Sequence, residues 1–169
     1  NDCFKIIDIE ILGPEFHIEP EVRNISCFGE DDGYINLNIF GGVSPITASW
    51  DDDATAGVER NNLPPGTYTV LVTDSDSPSC PINQSFIITE PSPISSSGLI
   101  VDALDCDIVE SGSINLQVTG GTLPFTFLWS NGVTTEDLTN IPPGDYSVII
   151  TDTNGCEEVN SFTVNRFPA

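Results

Sequence analysis

Methionine is absent, lysine and histidine occur once each, and four basic side chains stand against 26 acidic ones. Each shortage removes a class of function. A formal net charge of −22 leaves too few Lys and Arg to meet phosphate, so no nucleic-acid partner is expected. The same charge disfavours an anionic lipid surface. No apolar run approaches the ~18 residues that span a bilayer, so no membrane insertion is expected. No charged-then-apolar secretion signal opens the chain, which decides nothing because such signals are removed on maturation. His17 is the only imidazole and has no counterpart elsewhere, so it reads as a linker residue. Lys5 is the only lysine, which disfavours self-forming Lys–Asn isopeptide crosslinks. There is no Gly-x-Ser-x-Gly elbow, no Gly-Lys-Ser/Thr phosphate loop and no zinc spacing. Carboxylates abound, but a general acid needs burial to raise its pKa, and turn carboxylates are usually solvated. The chain does not read as an enzyme. Nor does any window hold apolar residues at i, i+3, i+4 and i+7, so no amphipathic helix is expected.

What the chain does hold is Val, Ile, Leu, Phe and Thr interspersed with 14 Gly and 13 Pro, the mixture of short strands and tight turns. It also repeats itself. Cys27-Phe28-Gly29-Glu30-Asp31-Asp32-Gly33-Tyr34-Ile35-Asn36-Leu37 aligns with Cys106-Asp107-Ile108-Val109-Glu110-Ser111-Gly112-Ser113-Ile114-Asn115-Leu116. Gly41-Gly42 and Trp50 recur as Gly120-Gly121 and Trp129. Leu63-Pro64-Pro65-Gly66-Thr67-Tyr68 recurs as Ile141-Pro142-Pro143-Gly144-Asp145-Tyr146, and Cys80 as Cys156. Cys3, Ile9 and Ile11 fit the closing part of a third copy. The reading is a last strand of a preceding, truncated repeat over 1–18, a first full repeat over 19–92 and a second over 93–169. The piece reads as cut from a longer array.

Within a copy the apolar residues alternate. Ile35, Leu37 and Ile39 share a face, as do Ile114, Leu116 and Val118. Ile46, Ala48 and Trp50, or Phe125, Phe127 and Trp129, form the next face. Tyr68, Val70 and Val72, or Tyr146, Val148 and Ile150, form a third, and Phe86 and Ile88, or Phe162 and Val164, close the copy. The fold class expected is all-β, with tandem immunoglobulin-like β-sandwich repeats arranged end to end. The Trp reads as the core centre, with a sugar-stacking platform as its alternative. The Tyr after Pro-Pro-Gly reads as a tyrosine corner whose hydroxyl bonds upstream backbone. Glu90-Pro91-Ser92-Pro93 reads as a stiff link. Ser95-Ser96-Ser97-Gly98 is the loosest stretch by composition, and bending is expected there.

The five Cys point to an oxidising compartment. The natural pairs lie within full copies, Cys27 with Cys80 and Cys106 with Cys156, leaving Cys3 without its partner strands. One geometric condition remains open. In the usual immunoglobulin order the two strands concerned run the same way and would put the cysteines at opposite ends.

Calcium is the candidate ion, because hard cations take several oxygen ligands. Asp31, Asp32, Asp51, Asp52, Asp53, Asp74 and Asp76 lie in acidic turns of the first copy; the second copy keeps little of that charge, and solvated turn carboxylates are the plainer reading. Tyr34 and Phe40, with Phe28, fall outside the inward alternation and are the candidate ligand-binding aromatics. None has an aromatic equivalent in the second copy.

The combined string resembles the SprB repeat of Bacteroidota surface proteins. It is carried by Cys27, Gly29, Asp32, Gly33, Ile35, Leu37, Gly41, Gly42, Pro45, Trp50, Leu63, Gly66, Tyr68, Val70, Val72, Asp74 and Cys80. The second copy matches at Gly112, Ile114, Pro124, Trp129, Asn131-Gly132, Gly144, Tyr146 and Asp152-Thr153-Asn154-Gly155-Cys156, and departs at Val109-Glu110-Ser111. The resemblance implies a large secreted cell-surface adhesin, in gliding bacteria a mobile filament exported by the type IX secretion system. Its partners would be neighbouring repeats, surface polysaccharide, and the secretion and gliding machinery. A carbohydrate-binding module, or an accessory module beside a secreted enzyme, is the alternative function.

Overall fold

The computed structural model describes residues 16–75, 81–104 and 111–167. The chain divides into two compact units. In the first, β1 (His17–Arg23), β2 (Gly33–Phe40) and β4 (Glu59–Leu63) form one sheet in the order β1-β2-β4. β3 (Thr47–Trp50), β5 (Gly66–Thr73) and β6 (Ile82–Ile88) form the other, in the order β3-β5-β6. In the second unit, β7 (Ser95–Val101), β9 (Gly112–Thr119) and β11 (Leu138–Ile141) make one sheet in the order β11-β9-β7. β10 (Thr126–Trp129), β12 (Gly144–Thr151) and β13 (Glu157–Val164) make the other, in the order β10-β12-β13. The short β8 (Ala103–Leu104) pairs in parallel with β14 (Arg166–Phe167). All other pairings are antiparallel. In immunoglobulin lettering each unit is A-B-E facing C-F-G, with no strand D among the described residues. The expected all-β, tandem immunoglobulin-like architecture is what the strand order gives.

The apolar alternation fills the space between the two sheets. In the second unit Ile114, Leu116, Leu138 and Ile141 meet Trp129, Tyr146, Val148, Ile150 and Val164 in one buried cluster. In the first, Ile35, Leu37, Leu63, Trp50, Tyr68, Val70, Val72, Phe86 and Ile88 are the buried equivalents. Both Trp residues are 1% exposed, so the sugar-platform alternative for them falls. Each indole N–H is satisfied, by Gly57 O in one unit and Thr135 O in the other, both at 2.9 Å. A buried indole without a partner would forfeit much of its packing gain. Tyr68 and Tyr146 donate to Pro64 O and Pro142 O at 2.7 and 2.9 Å, the expected tyrosine corners.

Several expectations need correction. His17 is not in a linker: it opens β1 and pairs with Phe40. The division falls between Thr89 and Glu90, and residues 25–30 group with the second unit, whereas the reading had placed boundaries at 18/19 and 92/93. Any strand over residues 1–15 lies outside the described residues. Ser95–Gly98 is not a hinge but half of β7, paired residue by residue with β9. Its polar composition answers to local partners. The Ser96 hydroxyl donates to the Glu158 carboxylate at 2.9 Å, and the Asn160 amide donates to Ser96 O at 3.1 Å. At Gly98 a Cβ would stand 2.7 Å from the Phe162 ring, so the residue makes room for the core.

Gly33 and Gly112 open β2 and β9. A Cβ there would lie 2.6 Å from Leu63 O in the first unit and 2.7 Å from Ile141 O in the second. Backbone cannot yield as a flexible side chain can. Opposite them, Asn62 and Asn140 adopt φ of 55° and 56°, where the β4 and β11 registers shift. Asn tolerates this left-handed geometry better than most residues. Gly33→Ala is expected to lower unfolding stability by roughly 1–3 kcal/mol. Gly57→Ala, with nothing within 4 Å of the added Cβ, is expected to change it by less than about 1 kcal/mol in urea titration. Equal effects from the two would refute the close-approach explanation.

Candidate functional site

The residues singled out from the sequence fall into three places. The first is the outward face of the β1-β2 pair. Tyr34 and Phe40 lie on it with Asn36 and Asn38 between them, since alternate residues share a face. Across the pair stand Arg23, Glu21, Glu19 and His17. The Arg23 guanidinium lies over the Tyr34 ring at 4.2 Å. The His17 imidazole stacks on Phe40 with centroids 5.3 Å apart and planes 17° from parallel. Phe40 remains 45% exposed. The two aromatics thus sit at opposite ends of a strip that spans roughly 20 Å at ~3.3 Å per residue. Phe28, also exposed, is not on this face; it lies in the 25–30 segment.

The second group is the acidic turns, and they do not converge. Among the described residues no three His, Cys, Asp or Glu gather as a metal ion requires. Asp52 is committed to Arg60, which reaches it with two N–H groups at 2.6 and 2.8 Å. That hydrogen bond holds the Asp52 carboxyl below its ordinary range. The Arg60 guanidinium also lies 5.0 Å from the Trp50 ring centre. Asp53 accepts from the Thr55 hydroxyl and N–H at 2.7 and 3.0 Å, which lowers its pKa. Asp31, Asp32 and Asp51 are exposed. Asp76 lies outside the described residues.

Asp74 has a structural task, and Asp152 shares it. Asp74 is buried and accepts from Val43 N at 2.9 Å. Asp152, 5% exposed, accepts from Thr122 N, Asn154 N and Cys156 N at 2.9, 2.9 and 3.0 Å. Each carboxylate therefore ties the end of β5 or β12 to the turn that follows the Gly-Gly pair. Burial works to raise the Asp152 pKa. The backbone N–H groups of Thr122, Cys156, Asn154 and Gly155 together outweigh it and hold the carboxyl below its ordinary value. The repeated Tyr-x-Val-x-Val/Ile-x-Asp spacing was legible; what it lacked was a sign that the acid points inward.

The third place is the disulfide. Cys27 is bonded to Cys156, with Cα atoms 5.6 Å apart, so the expected pairs Cys27–Cys80 and Cys106–Cys156 are not formed. Strand direction is the reason. Gly33 at the start of β2 pairs with Leu63, just before β5 begins. Val43, past the end of β2, is bonded to Asp74, past the end of β5. The two strands therefore run the same way, and Cys27 precedes one while Cys80 follows the other. Eight residues of β5 span about 26 Å, far beyond the ~7 Å a disulfide can bridge. Cys80 and Cys106 themselves lie outside the described residues. The 25–30 segment belongs to the second unit by more than this bond. Asn154 donates to Ser26 O at 3.0 Å, and Gly29 N donates to Glu90 Oε2 at 3.1 Å. Beside it is a groove of about 410 Å³, lined among others by Phe28, Pro91, Pro93, Glu157 and Glu158.

The Asp152 network sets a pH dependence. A depressed folded-state pKa contributes stability that is complete above the unfolded value and lost as pH falls through the folded one. Asp152→Asn should lose roughly 1–3 kcal/mol at neutral pH, because one oxygen cannot serve all its donors. The gap from the parent should shrink as pH drops below the ordinary value of 3.8. Urea titrations of both proteins from pH 7 to 2.5 measure it, and a gap constant across that range would contradict the carboxylate's role.

No curated protein gives a significant match to the chain. Among solved structures, the immunoglobulin domains 1–5 of Sidekick-1 are 13% identical, with a TM-score of 0.44 over 92% of this chain and 39% of that one. Extracellular domains 3–5 of Drosophila OTK are 14% identical, with a TM-score of 0.36 over 89% of this chain and 61% of that one. The chain thus spans less than two thirds of either. A family model described as the SprB repeat matches residues 20–55 and 109–134. The first segment runs from β1 past Trp50 and the second from just before β9 past Trp129, so the chain is similar to the SprB repeat over the corresponding part of both copies.

Proposed function

We propose that the chain is a segment of the stalk of a large secreted cell-surface adhesin filament of the gliding type, and that its role is mechanical. The observation that supports this reading is the repetition itself: two successive units, each with its own Trp-centred core and both sheets hydrogen-bonded along their length. Such beads resist extension through their strand pairs, and repetition lengthens the reach. A disulfide fits the oxidising exterior. Strong negative charge keeps neighbouring filaments from clumping. In the parent protein the partners would be neighbouring repeats and the secretion and gliding machinery, including type IX export.

Pulling single molecules by the two chain ends tests this. The Cys27–Cys156 bond has a sequence separation of 129 and removes the enclosed residues from the load path. At ~3.5 Å per residue, reductant should therefore release up to roughly 450 Å of extra contour length, in discrete steps. Smooth entropic stretching without resolved steps after reduction would sink the load-bearing reading.

Adhesion to surface polysaccharide is the second reading, favoured by the exposed Phe40 and the Tyr34-Asn36-Asn38-Phe40 strip. Aromatic faces pack on sugar rings and amides bond their hydroxyls. On a glycan array, Phe40→Ala should abolish any binding the parent shows, with folding unchanged by circular dichroism. Binding that survives the substitution would place the sugar elsewhere, and no binding by the parent would leave the stalk role alone.

A further inference from the structure

The groove beside the 25–30 segment has no part in the stalk reading, and its lining is chemically one-sided. Every described residue that lines it belongs to the second unit. Part of the lining is apolar: the Phe28 ring, 56% exposed, with Pro91 and Pro93. Glu30, Glu157 and Glu158 supply negative charge, and no lysine, arginine or histidine stands among the described lining residues. The volume of about 410 Å³ lies in the range of clefts that hold a small ligand.

The groove is also built to keep its shape. Cys27, next to Phe28, is bonded to Cys156. On the other side of the ring, Gly29 N donates to Glu90 Oε2 at 3.1 Å. The Asn154 amide holds Ser26 O at 3.0 Å. Pro91 and Pro93 have fixed φ. Two of the lining carboxylates already have tasks. Asp152 is committed to backbone N–H groups, and Glu158 accepts from the Ser96 hydroxyl at 2.9 Å. Glu30 and Glu157 are exposed, and the bond from the Thr151 hydroxyl to Glu157 is a long 3.5 Å.

We propose that this groove takes an arginine-bearing segment of a partner protein. The guanidinium lies on the Phe28 ring and bonds Glu30 or Glu157, and its methylene stem runs along Pro91 and Pro93. Charge complementarity selects the sign of the occupant, since ionised carboxylates only accept hydrogen bonds. The chain itself shows the arrangement twice. Arg60 lies 5.0 Å from the Trp50 ring centre and bonds Asp52. Arg23 lies 4.2 Å from the Tyr34 ring centre and meets Glu21 at 3.3 Å. The groove offers the same two parts, a ring face and carboxylates, without a cation of its own among the described lining residues. Arginine fits better than lysine because a planar guanidinium stacks on a ring while its edge bonds a carboxylate.

Fluorescence polarisation of a labelled Gly-Arg-Gly-Arg-Gly peptide against the intact, oxidised chain tests this. Binding should saturate. The peptide with glutamine for both arginines should bind roughly tenfold more weakly, and the lysine peptide should also bind more weakly. Phe28→Ala should weaken binding about threefold to fivefold, and Phe28→Trp, which keeps a ring face, should retain it. Glu30→Gln combined with Glu157→Gln should cost roughly tenfold. Asp51→Asn combined with Glu59→Gln removes the same charge from exposed places on the first unit, and should change binding by less than about twofold. Circular dichroism checks that each variant is folded. Equal losses from the two double variants would show the peptide following the net charge of −22 rather than the groove, and would overturn the proposal. So would a parent without saturable binding, a glutamine or lysine peptide that matches arginine, or a Phe28→Ala variant that binds as the parent does.

Discussion

A three-stranded sheet has one apolar face and can hide it only against another sheet, and everything else in each unit follows from that closure. Two short sheets bury little area, so their edges must be clasped. One end is held by the tyrosine corner, where the hydroxyl of Tyr68 or Tyr146 bonds the backbone just before its own strand. The other end is held by Asp74 or Asp152, bonded to the turn between β2 and β3 or between β9 and β10. Between the clasps stands a Trp whose ring packs against Phe86 or Phe162, with centroids about 6 Å apart in both units. Remove the closure and neither the Trp burial nor the strand direction survives, and with strand direction goes the logic of the disulfide.

The two units reach the same closure with different chemistry at one position. Arg60 and Leu138 occupy equivalent places, paired with Ile35 and Ile114. Leu138 is 1% exposed and simply fills the core. Arg60 lays its guanidinium near the Trp50 and Tyr68 rings and keeps its charge satisfied through the more exposed Asp52. A planar guanidinium can cover an aromatic face while its edge bonds a carboxylate. This explains why the first copy carries an acidic turn where the second has Ser130-Asn131-Gly132. Part of the apparent surplus of turn carboxylates is a counter-charge for that arginine.

Period-two alternation revealed β2, β3, β5 and β6 and their counterparts because each buries one face, and the two aromatic hallmarks followed from spacing. The strands that escaped notice are those with little to bury. β1 reads His-Ile-Glu-Pro-Glu-Val-Arg, a sheet-edge strand whose Pro and charges look like a linker. β4 reads Glu-Arg-Asn-Asn-Leu, and its Asn62 bulge breaks any alternation. β7 opens with three serines, of which Ser96 is met by Glu158 and Asn160. The candidate-site residues were legible by type but not by direction. An Asp in a turn can face solvent, as Asp51 does, or accept three backbone N–H groups, as Asp152 does, and only the chain path decides.

The cysteine pairing shows the same limit most sharply. The entropic advantage of a crosslink grows only with the logarithm of loop length. A bond from Cys27 to Cys80 would close a loop less than half as long as the one from Cys27 to Cys156, and the difference is below about 1 kcal/mol. Stability therefore barely distinguishes the two registers. Geometry does. Two strands running the same way in facing sheets put the residue before one and the residue after the other at opposite ends of the bead, and Cys27 is bonded to Cys156. The position of a single residue relative to a strand end thus decides which cysteine it can reach.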